Sequence, residues 1–378
     1  MPSIWTYVLV GAVAAVVTFI LIPVVRRFSA PLGAIVEPDE RHVHTLATPT
    51  AGGAAMLVGV GVAAVVAAIH PDLNNVMAAR TEVLGVLLAA GVIWSVGFVD
   101  DLREISAPAK VAGMVLAGSI MALTGISILI FRVPFLEILV LSPDWSYLLT
   151  VVWVVGMANA INLVDGLDGL AAGIVAIASA TFFLYAVRLG NEEVLDPANP
   201  GALWAIITLG VCIGFLPHNV HPARIFMGDC GALLLGMLMA ASTMSVGGRS
   251  SAEFSGQAFF FFAPIFIPLV ILGVPILDTL WAILRRAARR SSMSTPDKKH
   301  LHHRLMNLGH GHRRAVFILW SWTALLSAFV LYPTYTGEGD AVVPVGIAAL
   351  LLGLFTLLHP RLRPVIQDID EVAPDAGD

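Results

Sequence analysis

The sequence predicts an all-α, polytopic integral membrane protein with about eleven transmembrane helices, from three observations. Of its 378 residues, 58% are hydrophobic and only 12% are charged, and its mean hydropathy is +0.87. A soluble domain carries about a quarter charged residues, so this composition is typical of a chain embedded in lipid. The apolar residues form long runs, and the basic residues gather in alternate connections between those runs.

The individual helices follow from the apolar runs, because a membrane-spanning helix needs about 20 mostly apolar residues. No basic residue precedes the first run, so it predicts a spanning helix and not a cleaved signal peptide. The ninth run contains Pro264, Pro268 and Pro275 and is therefore predicted to be kinked or broken. The predicted spans are residues 4–25, 51–69, 82–99, 108–130, 146–162, 168–187, 201–217, 230–246, 257–284, 315–332 and 341–358.

The connections between these spans predict the orientation of the chain. Of the 21 Lys and Arg residues, 17 fall on one side of the membrane and four on the other. Cytoplasmic loops carry the excess of basic residues, so the N-terminus is predicted outside and the C-terminus in the cytoplasm. We expect one transmembrane catalytic domain over residues 1–366, with cytoplasmic active-site loops, and an acidic, disordered tail over residues 367–378.

Five polar clusters interrupt this apolar chain, and the predicted topology places all five on the cytoplasmic side. A lone Asp at a helix end is usually a cap or a solvated terminus, but five carboxylates on one face indicate a shared site. The clusters are "PDERHVHTLATPTAGG" before the second span, Asp100 and Asp101 after the third, Asn159 to Asp168 between the fifth and sixth, Asp229 before the eighth, and "PDKKHLHHRLMNLGHGHRR" after the ninth.

These clusters predict a site for a divalent cation and a diphosphate. Several carboxylates and an asparagine amide at one membrane–water boundary repel each other unless a cation joins them, and such oxygen ligands suit Mg²⁺ or Mn²⁺. Mg²⁺ typically binds one or two protein carboxylates and completes its shell with substrate phosphates. Nearby Lys and Arg residues hold further phosphate charge.

Four motifs carry a resemblance to a known family. The stretches "VDDLRE", "NAINLVDGLDGLAAG", "FMGDCG" and "DKKHLHHRL" resemble, in order and spacing, the motifs of the polyprenyl-phosphate N-acetylhexosamine-1-phosphate transferase superfamily, from about residue 37 to about residue 330. The form "HLHHR" resembles the bacterial branch that uses UDP-N-acetylglucosamine (UDP-GlcNAc). The sister branch, which transfers phospho-N-acetylmuramoyl-pentapeptide, usually has three consecutive histidines there and ten spans.

The resemblance implies a Mg²⁺-dependent phosphoglycosyl transferase. Such an enzyme transfers GlcNAc-1-phosphate from UDP-GlcNAc to a polyprenyl (undecaprenyl or decaprenyl) phosphate, giving polyprenyl-diphosphate-GlcNAc and UMP. This reaction is the first membrane step of cell-envelope glycan assembly. The resemblance further implies a bacterial plasma (inner) membrane location, an active site on the cytoplasmic face, a homodimer and no nucleic-acid partner.

The resemblance also implies roles for individual residues on the nucleotide and metal side. Asp229 and Asn162 are the expected Mg²⁺ ligands, and Phe226 is expected to stack against uracil. Asp168 and the backbone of Gly166 and Leu167 are expected to frame the uridine. The other substrate contacts expected in these motifs are Asn159 and His300.

On the lipid and sugar side, the resemblance implies that Asp100 lies near the attacking lipid phosphate and that Lys110 holds its charge. His302, His303 and Arg304 are expected to close over the sugar and diphosphate. Asp101 and Asp165 are expected to position the metal or to support its ligands.

Two other functions stay open from the sequence. One is the sister activity, phospho-N-acetylmuramoyl-pentapeptide transfer, which uses another donor nucleotide. The other is a nucleotide-sugar transporter, but transporters place substrate residues near mid-membrane and often contain repeats. Here the carboxylates lie at span ends on one side and no repeat is visible, which favours the transferase.

Overall fold

The computed structural model describes residues 2–36, 48–132, 138–247, 310–336 and 342–358, with Leu272, Gly273, Ile276, Leu280, Leu305 and Met306. These residues form helices of very different length and burial. The helices are α1 (Ile4–Ser29), α2 (Gly53–Ile69), α3 (Asn74–Ala78), α4 (Arg80–Arg103), α5 (Ala107–Leu123), α6 (Pro143–Val164), α7 (Leu170–Asn191), α8 (Gly201–Asn219), α9 (Gly228–Gly247), α10 (His312–Thr336) and α11 (Val342–Leu358).

Seven of the described helices are long and apolar enough to cross a membrane by length and composition, namely α1, α4, α6, α7, α8, α9 and α10. The number is eight if α2 and the bent segment after it form one span, whereas α5 and α11 are shorter apolar helices. The prediction of an all-helical, polytopic membrane protein is therefore confirmed. Helix α3 has only five residues, so the described helices are not all spans. The predicted C-terminal tail lies outside the described residues, as does the predicted ninth span except for Leu272, Gly273, Ile276 and Leu280.

Helix α2 ends at Ile69, as the predicted span 51–69 does. The chain then bends by 92° into the turn Pro71–Leu73 and α3, where Pro71 supplies a fixed φ and no N–H. The end of α5 departs from the predicted span. Helix α5 ends at Leu123 and not at residue 130, because Thr124 and the positive φ of Gly125 (+106°) turn the chain. A short hairpin follows, formed by antiparallel strands Ile130–Arg132 and Ile138–Val140.

Helix α9 lies at the centre of the bundle and packs against α2, α4, α6, α7 and α8. Glycines permit this close approach, since an added Cβ at Gly53 would clash with Gly231, and one at Gly97 would clash with the backbone of Cys230. Gly236 of α9 likewise meets the backbone of Ala158 on α6. Small residues let helix backbones meet closely, as is typical of packing between membrane helices.

The polar motifs meet at one end of the bundle because consecutive helices run antiparallel through short connections. The turn after α4 needs only residues 104–106, and the turn after α6 needs only residues 165–169. The segment before α2 joins the same end through backbone bonds to the segment before α9. The N–H of Phe226 donates to Pro49 O, and the N–H of Gly52 donates to Phe226 O, both at 2.9 Å. This end thus collects residues from five separate stretches of the chain.

Candidate active site at one end of the helix bundle

Asp229 lies at the centre of this end, in the first turn of α9. Its Oδ1 accepts a hydrogen bond of 2.8 Å from Asn162 Nδ2 at the end of α6, and its Oδ2 contacts the ammonium of Lys110. Gly228 precedes it with φ +71°, and a Cβ there would clash with the Asp101 carboxylate and the Thr50 hydroxyl. Only glycine therefore allows Asp229 to approach its neighbours so closely.

Lys110 joins two carboxylates. Its Nζ lies 2.5 Å from Asp100 Oδ2 and also contacts Asp229, so one ammonium neutralises charges from α4 and α9. Asp100 Oδ1 accepts from the N–H of Ile105 at 2.8 Å and thereby shapes the turn that presents Lys110 at the start of α5. Charge-assisted bonds of this kind are among the stronger side-chain contacts.

Asp101 caps helix α9 from the neighbouring helix. Its Oδ1 accepts from the N–H of Asp229 at 2.7 Å, and its Oδ2 accepts from the N–H of Cys230 at 3.1 Å. The first N–H groups of a helix have no partner within the helix, and that end carries partial positive charge, so a carboxylate is favoured there. Asp101 therefore fixes the backbone of Asp229.

These side chains border a cavity of about 200 Å³ with a predominantly polar lining. The loop between α6 and α7 forms one wall, and the segment before α9 forms another. The lining residues are Thr50, Asp101, Asn162, Asp165, Gly166, Leu167, Asp168, Asn219, Phe226, Gly228 and Asp229.

Asp168 anchors the wall between α6 and α7. It is only 4% exposed, and its Oδ2 contacts His221 Nδ1 at 2.7 Å and accepts from the N–H of Ala223 at 3.0 Å. His312 Nε2 at the start of α10 lies 4.0 Å from the same oxygen. The imidazoles of His221 and His312 stack with their centroids 4.3 Å apart and their planes 25° apart.

Asn219 adds a second connection between the two walls. Its Oδ1 accepts from the N–H of Gly169 at 2.9 Å, and its Nδ2 donates to Ile225 O at 3.0 Å. Gly169 has φ +77°, a conformation that favours glycine. The loop before α7 is therefore attached to the segment before α9 through both Asp168 and Gly169.

Asp165, in the loop between α6 and α7, has an altered acidity. Burial raises the pKa of its carboxyl to about 8, and the negative charges of Asp229, Asp101 and Asp168 raise it further in the same direction. The ionised form of Asp165 is thus disfavoured by its like-charged neighbours. A cation placed among these carboxylates would reverse that preference.

Two groups of side chains offer several ligand atoms to a cation. Around Asp229, carboxylate and amide oxygens converge, and the Lys110 ammonium between Asp100 and Asp229 is a positive charge already bound there. This oxygen set fits a hard divalent cation. Asp168, His221 and His312 also offer ligand atoms within 4.8 Å of one another. His221 Nδ1 lies only 2.7 Å from Asp168 Oδ2, however, which is the distance of a hydrogen bond between the two groups.

The structure brings most of the predicted site residues to this end of the bundle. These are Asp100, Asp101, Lys110, Asn162, Asp165, Gly166, Leu167, Asp168, Phe226 and Asp229. Asn159 does not line the cavity, because its Nδ2 donates to Val155 O at 2.8 Å and lies 3.1 Å from Met114 Sδ. The predicted roles of His300, His302, His303 and Arg304 lie outside the described residues.

Four residues of the site were not singled out in the sequence: Thr50, Asn219, His221 and His312. Asn219 and His221 belong to the polar stretch "HNVHPAR", directly before the "FMGDCG" motif. Polar residues flanking a motif at a span end are the signal that was available for these two. His312 lies in the stretch "GHGHRR". It is 144 residues from Asp168 in the chain, so no local pattern connects the two residues.

Comparisons with known proteins agree with this geometry. A family model described as glycosyl transferase family 4 matches residues 83–247. The chain is 36% identical over 360 residues to decaprenyl-phosphate N-acetylglucosaminephosphotransferase from Mycolicibacterium smegmatis, covering 94% of this chain and 88% of that protein. It is 35% identical over 327 residues to a probable undecaprenyl-phosphate N-acetylglucosaminyl 1-phosphate transferase from Bacillus subtilis, covering 86% and 85%.

The sister activity also occurs among the similar proteins. The chain is 35% identical over 356 residues to phospho-N-acetylmuramoyl-pentapeptide-transferase from Desulforudis audaxviator, covering 86% of this chain and 97% of that protein. Asp100, Asp101, Asn162, Asp168 and Asp229 all lie within the segment that the family model matches.

Proposed function

The chain belongs to glycosyl transferase family 4, and from this membership we propose that it is a polyprenyl-phosphate GlcNAc-1-phosphate transferase. Its donor is UDP-GlcNAc, its acceptor is undecaprenyl or decaprenyl phosphate, and its products are polyprenyl-diphosphate-GlcNAc and UMP. The observation that supports this proposal is the meeting of Asp100, Lys110, Asn162 and Asp229 at one end of the bundle, beside a polar cavity.

The reaction exchanges one diphosphate (P–O–P) linkage for another. An oxygen of the lipid phosphate attacks the phosphorus that carries GlcNAc, and the bond from that phosphorus to the oxygen bridging to UMP breaks. UMP leaves with the bonding electron pair, so no oxidant or reductant is required. Phosphoryl transfer of this kind depends mainly on positioning and on neutralising the charge that develops on phosphoryl oxygens.

Lys110 and Asp100 are proposed to act on the lipid phosphate. Lys110 already contacts two carboxylates, so an arriving phosphate competes for an ammonium that is held in place by Asp100 and Asp229. Asp100 keeps that ammonium at the start of α5, next to the position from which the acceptor attacks. The Lys110 charge then lowers the repulsion between an anionic acceptor and an anionic donor.

The oxygen set around Asp229 supports Mg²⁺, or Mn²⁺, as the cofactor. Asp229 and Asn162 would hold the ion, with Asn162 turning its amide oxygen toward it, and Asp101 fixes the backbone of Asp229. When bound, the ion neutralises diphosphate oxygens of the donor. Asp165 contributes negative charge at the floor of the same cavity.

The walls of the cavity are proposed to bind the donor nucleotide. Phe226 offers an aromatic face for uracil, while Asp168 and the backbone of Gly166 and Leu167 frame the uridine. His302, His303 and Arg304, with His300, are proposed to close over the sugar and diphosphate, since imidazole and guanidinium groups match those oxygens. Asn159 is assigned a structural role in α6, because its side-chain amide contacts Val155 O and Met114 Sδ.

Two alternatives make different predictions. A phospho-N-acetylmuramoyl-pentapeptide transferase would use the same metal and lipid contacts with a larger donor, and its named relative shares 35% identity with this chain. A nucleotide-sugar transporter would need substrate residues near mid-membrane. Family membership and the location of the carboxylates at helix ends favour a transferase over a transporter. The match to the N-acetylglucosaminephosphotransferase, which covers 94% of this chain against 86% for the sister enzyme, favours GlcNAc-1-phosphate as the transferred group.

The proposed setting is a bacterial plasma (inner) membrane. We propose eleven spans, with the N-terminus outside, the C-terminus in the cytoplasm and the active site on the cytoplasmic face. The 17-to-4 distribution of basic residues supports this orientation. A homodimer is the proposed assembly, and the mass of the protein in detergent or nanodiscs tests it.

The decisive experiment is transfer by the purified protein. Polyprenyl phosphate, Mg²⁺ and UDP-GlcNAc labelled in the sugar are supplied, and the expected outcome is label in an organic-extractable lipid with UMP released in equal amount. Unlabelled UDP-N-acetylmuramoyl-pentapeptide serves as competitor. Strong competition together with pentapeptide transfer would favour the sister activity, and vesicle uptake of label without a lipid product would favour the transporter.

A further inference from the structure

We infer that His221 and His312 are positioning residues that together hold the Asp168 carboxylate, and with it the loop between α6 and α7, in the orientation that the donor nucleotide needs. This inference rests on the proposed function, because it assumes that the donor binds against that loop. We call the two imidazoles and the carboxylate the Asp168 clamp. Asp168 lines the cavity, and the clamp is distinct from the Asp229–Lys110 group.

The first argument is the burial of Asp168. Its side chain is 1% exposed, and a buried carboxylate is costly unless several donors hold it. His221 Nδ1 and the N–H of Ala223 both lie within hydrogen-bond distance of Oδ2, at 2.7 and 3.0 Å. These two donors therefore bind one oxygen of Asp168 to the segment before α9, while the residue also lines the cavity.

Helix α10 is held against this wall by hydrogen bonds from two of its side chains. Arg313 Nη2 donates to the backbone oxygen of His221 at 3.0 Å, and Trp320 Nε1 donates to Leu170 O at 3.2 Å. The Trp320 ring also packs where a Cβ on Gly173 would stand. These contacts fix the position of α10 along α7, and so they place His312 over the His221 ring.

The distances within this group are those of hydrogen bonding and not of metal ligation. His221 Nδ1 and Asp168 Oδ2 are 2.7 Å apart, whereas two ligand atoms on one tetrahedral ion, each bonded at about 2.0 Å, would lie roughly 3.3 Å apart. Stacking on His312 keeps the His221 ring from rotating, so that Nδ1 stays directed at Asp168. His312 thus acts on Asp168 mainly through His221, in addition to its own Nε2 at 4.0 Å.

The clamp predicts an effect on one substrate only. His221→Ala should raise the KM for UDP-GlcNAc by about tenfold or more, with kcat and the KM for polyprenyl phosphate changed by less than about twofold. His221→Asn keeps a donor at the Nδ1 position and should restore the donor KM to within about threefold of the wild-type value. His312→Ala should give a smaller rise than His221→Ala.

A double-mutant cycle tests whether the effect passes through Asp168. His221→Ala should raise the donor KM in the wild-type background but not in the Asp168→Asn background, because the neutral amide no longer needs the imidazole. UMP binding by calorimetry provides the same cycle without turnover. His218→Ala is the matched control, since His218 lies three residues away and packs on Phe19. It should leave both KM values unchanged.

The outcomes separate the clamp from the proposed function. Unchanged donor KM and UMP affinity in His221→Ala would overturn the clamp, as would equal increases in both KM values or a full effect in the Asp168→Asn background. A wild-type protein that binds UMP but transfers no GlcNAc-1-phosphate would instead overturn the proposed function. The UMP cycle would still test the clamp in that case.

Discussion

The carboxylate of Asp101 accepts a hydrogen bond of 2.7 Å from the backbone N–H of Asp229, so the last turn of α4 caps the first turn of α9. The two residues are 128 positions apart in the chain. The "VDDLRE" and "FMGDCG" motifs are therefore parts of one structural unit, in which one aspartate orients the backbone of another.

Removing this cap should affect both stability and turnover. Asp101→Ala should lower the free energy of unfolding by about 1 kcal/mol, as for other lost helix caps, and should lower kcat by about tenfold or more. Asp101→Asn keeps one oxygen acceptor, so its unfolding free energy and its kcat should lie between those of the wild type and of Asp101→Ala. Thermal unfolding and transfer rates measure these effects. Asp144→Ala, an acidic residue in the first turn of α6 at the opposite end, is the control. A fully active, equally stable Asp101→Ala protein would refute the capping role.

Asp229→Asn should abolish turnover, because the variant loses the charge that a divalent cation and Lys110 share. UDP-GlcNAc binding should weaken only in the presence of Mg²⁺, since without the ion the nucleotide loses no ligand. Binding measured with and without the ion distinguishes the two conditions. Near-normal activity at low Mg²⁺ would show that another residue is the principal ligand.

Asp165 should make metal-free stability depend on pH. Its carboxyl has a pKa of about 8 in the fold against an ordinary value of 3.8, so the folded state binds the extra proton between those values. Its contribution to stability is therefore complete below about pH 4 and is lost as pH rises through about 8. The melting temperature without Mg²⁺ should fall across this window, and Asp165→Asn should reduce the fall.

The same residue predicts a proton released on metal binding. Near pH 7, Mg²⁺ should expel the Asp165 proton, which calorimetry in buffers of different ionisation enthalpy detects. Asp165→Asn should remove that release, whereas Glu193→Gln, at an exposed carboxylate, should not. Identical buffer dependence in the Asp165→Asn protein would assign the proton to another group.

Cysteine labelling tests the proposed orientation. Both native cysteines, Cys212 and Cys230, are buried, so an impermeant reagent should react mainly with introduced thiols. Asn191→Cys at the end of α7 should react in intact cells, whereas Ala109→Cys at the start of α5 should react only after permeabilisation. Both positions are exposed and lie at opposite ends of the bundle. The reverse pattern would place the cavity outside the cell.

The histidine motif should act on the donor and not on the lipid. His303→Ala and Arg304→Lys should each lower kcat/KM for UDP-GlcNAc by at least about tenfold, equivalent to about 1.4 kcal/mol, because an ammonium cannot reproduce the two-point contact of guanidinium with phosphate. The KM for polyprenyl phosphate should change much less. Wild-type kinetics in both variants would mean that the motif is only a connection between spans.

The helices were largely predictable because lipid imposes a simple rule on length and polarity. The predicted run 168–187 matches α7 (Leu170–Asn191), and the run 201–217 matches α8 (Gly201–Asn219). The bend after α2 and the early end of α5 were missed, because they are set by Pro71 and by the turn at Thr124 and Gly125. Apolar content alone does not encode such turns.

The site residues were predictable as a group but not as a set of contacts. Charged residues at span ends are conspicuous in an apolar chain, so Asp100, Asp168 and Asp229 were identified from the sequence. Lys110 was identified as well, but its contact with Asp229, across 119 residues, was not. His221, which meets Asp168 across 53 residues, was missed altogether. Single polar residues in loops carry no periodic signal that would reveal these pairs.

The packing of α9 has a consequence for how the protein is inserted into the membrane. Among the seven candidate spans, α9 is the least apolar and the most enclosed, with 94% of its central residues buried against 28% in α1. It leaves the ribosome after α2, α4, α6, α7 and α8, yet it must enter the space between them. Transfer of this segment into lipid is therefore less favourable than transfer of α1. We therefore expect α9 to be retained in the membrane mainly by contacts with the helices synthesised before it, so that the helix that carries Asp229 joins a partly assembled bundle.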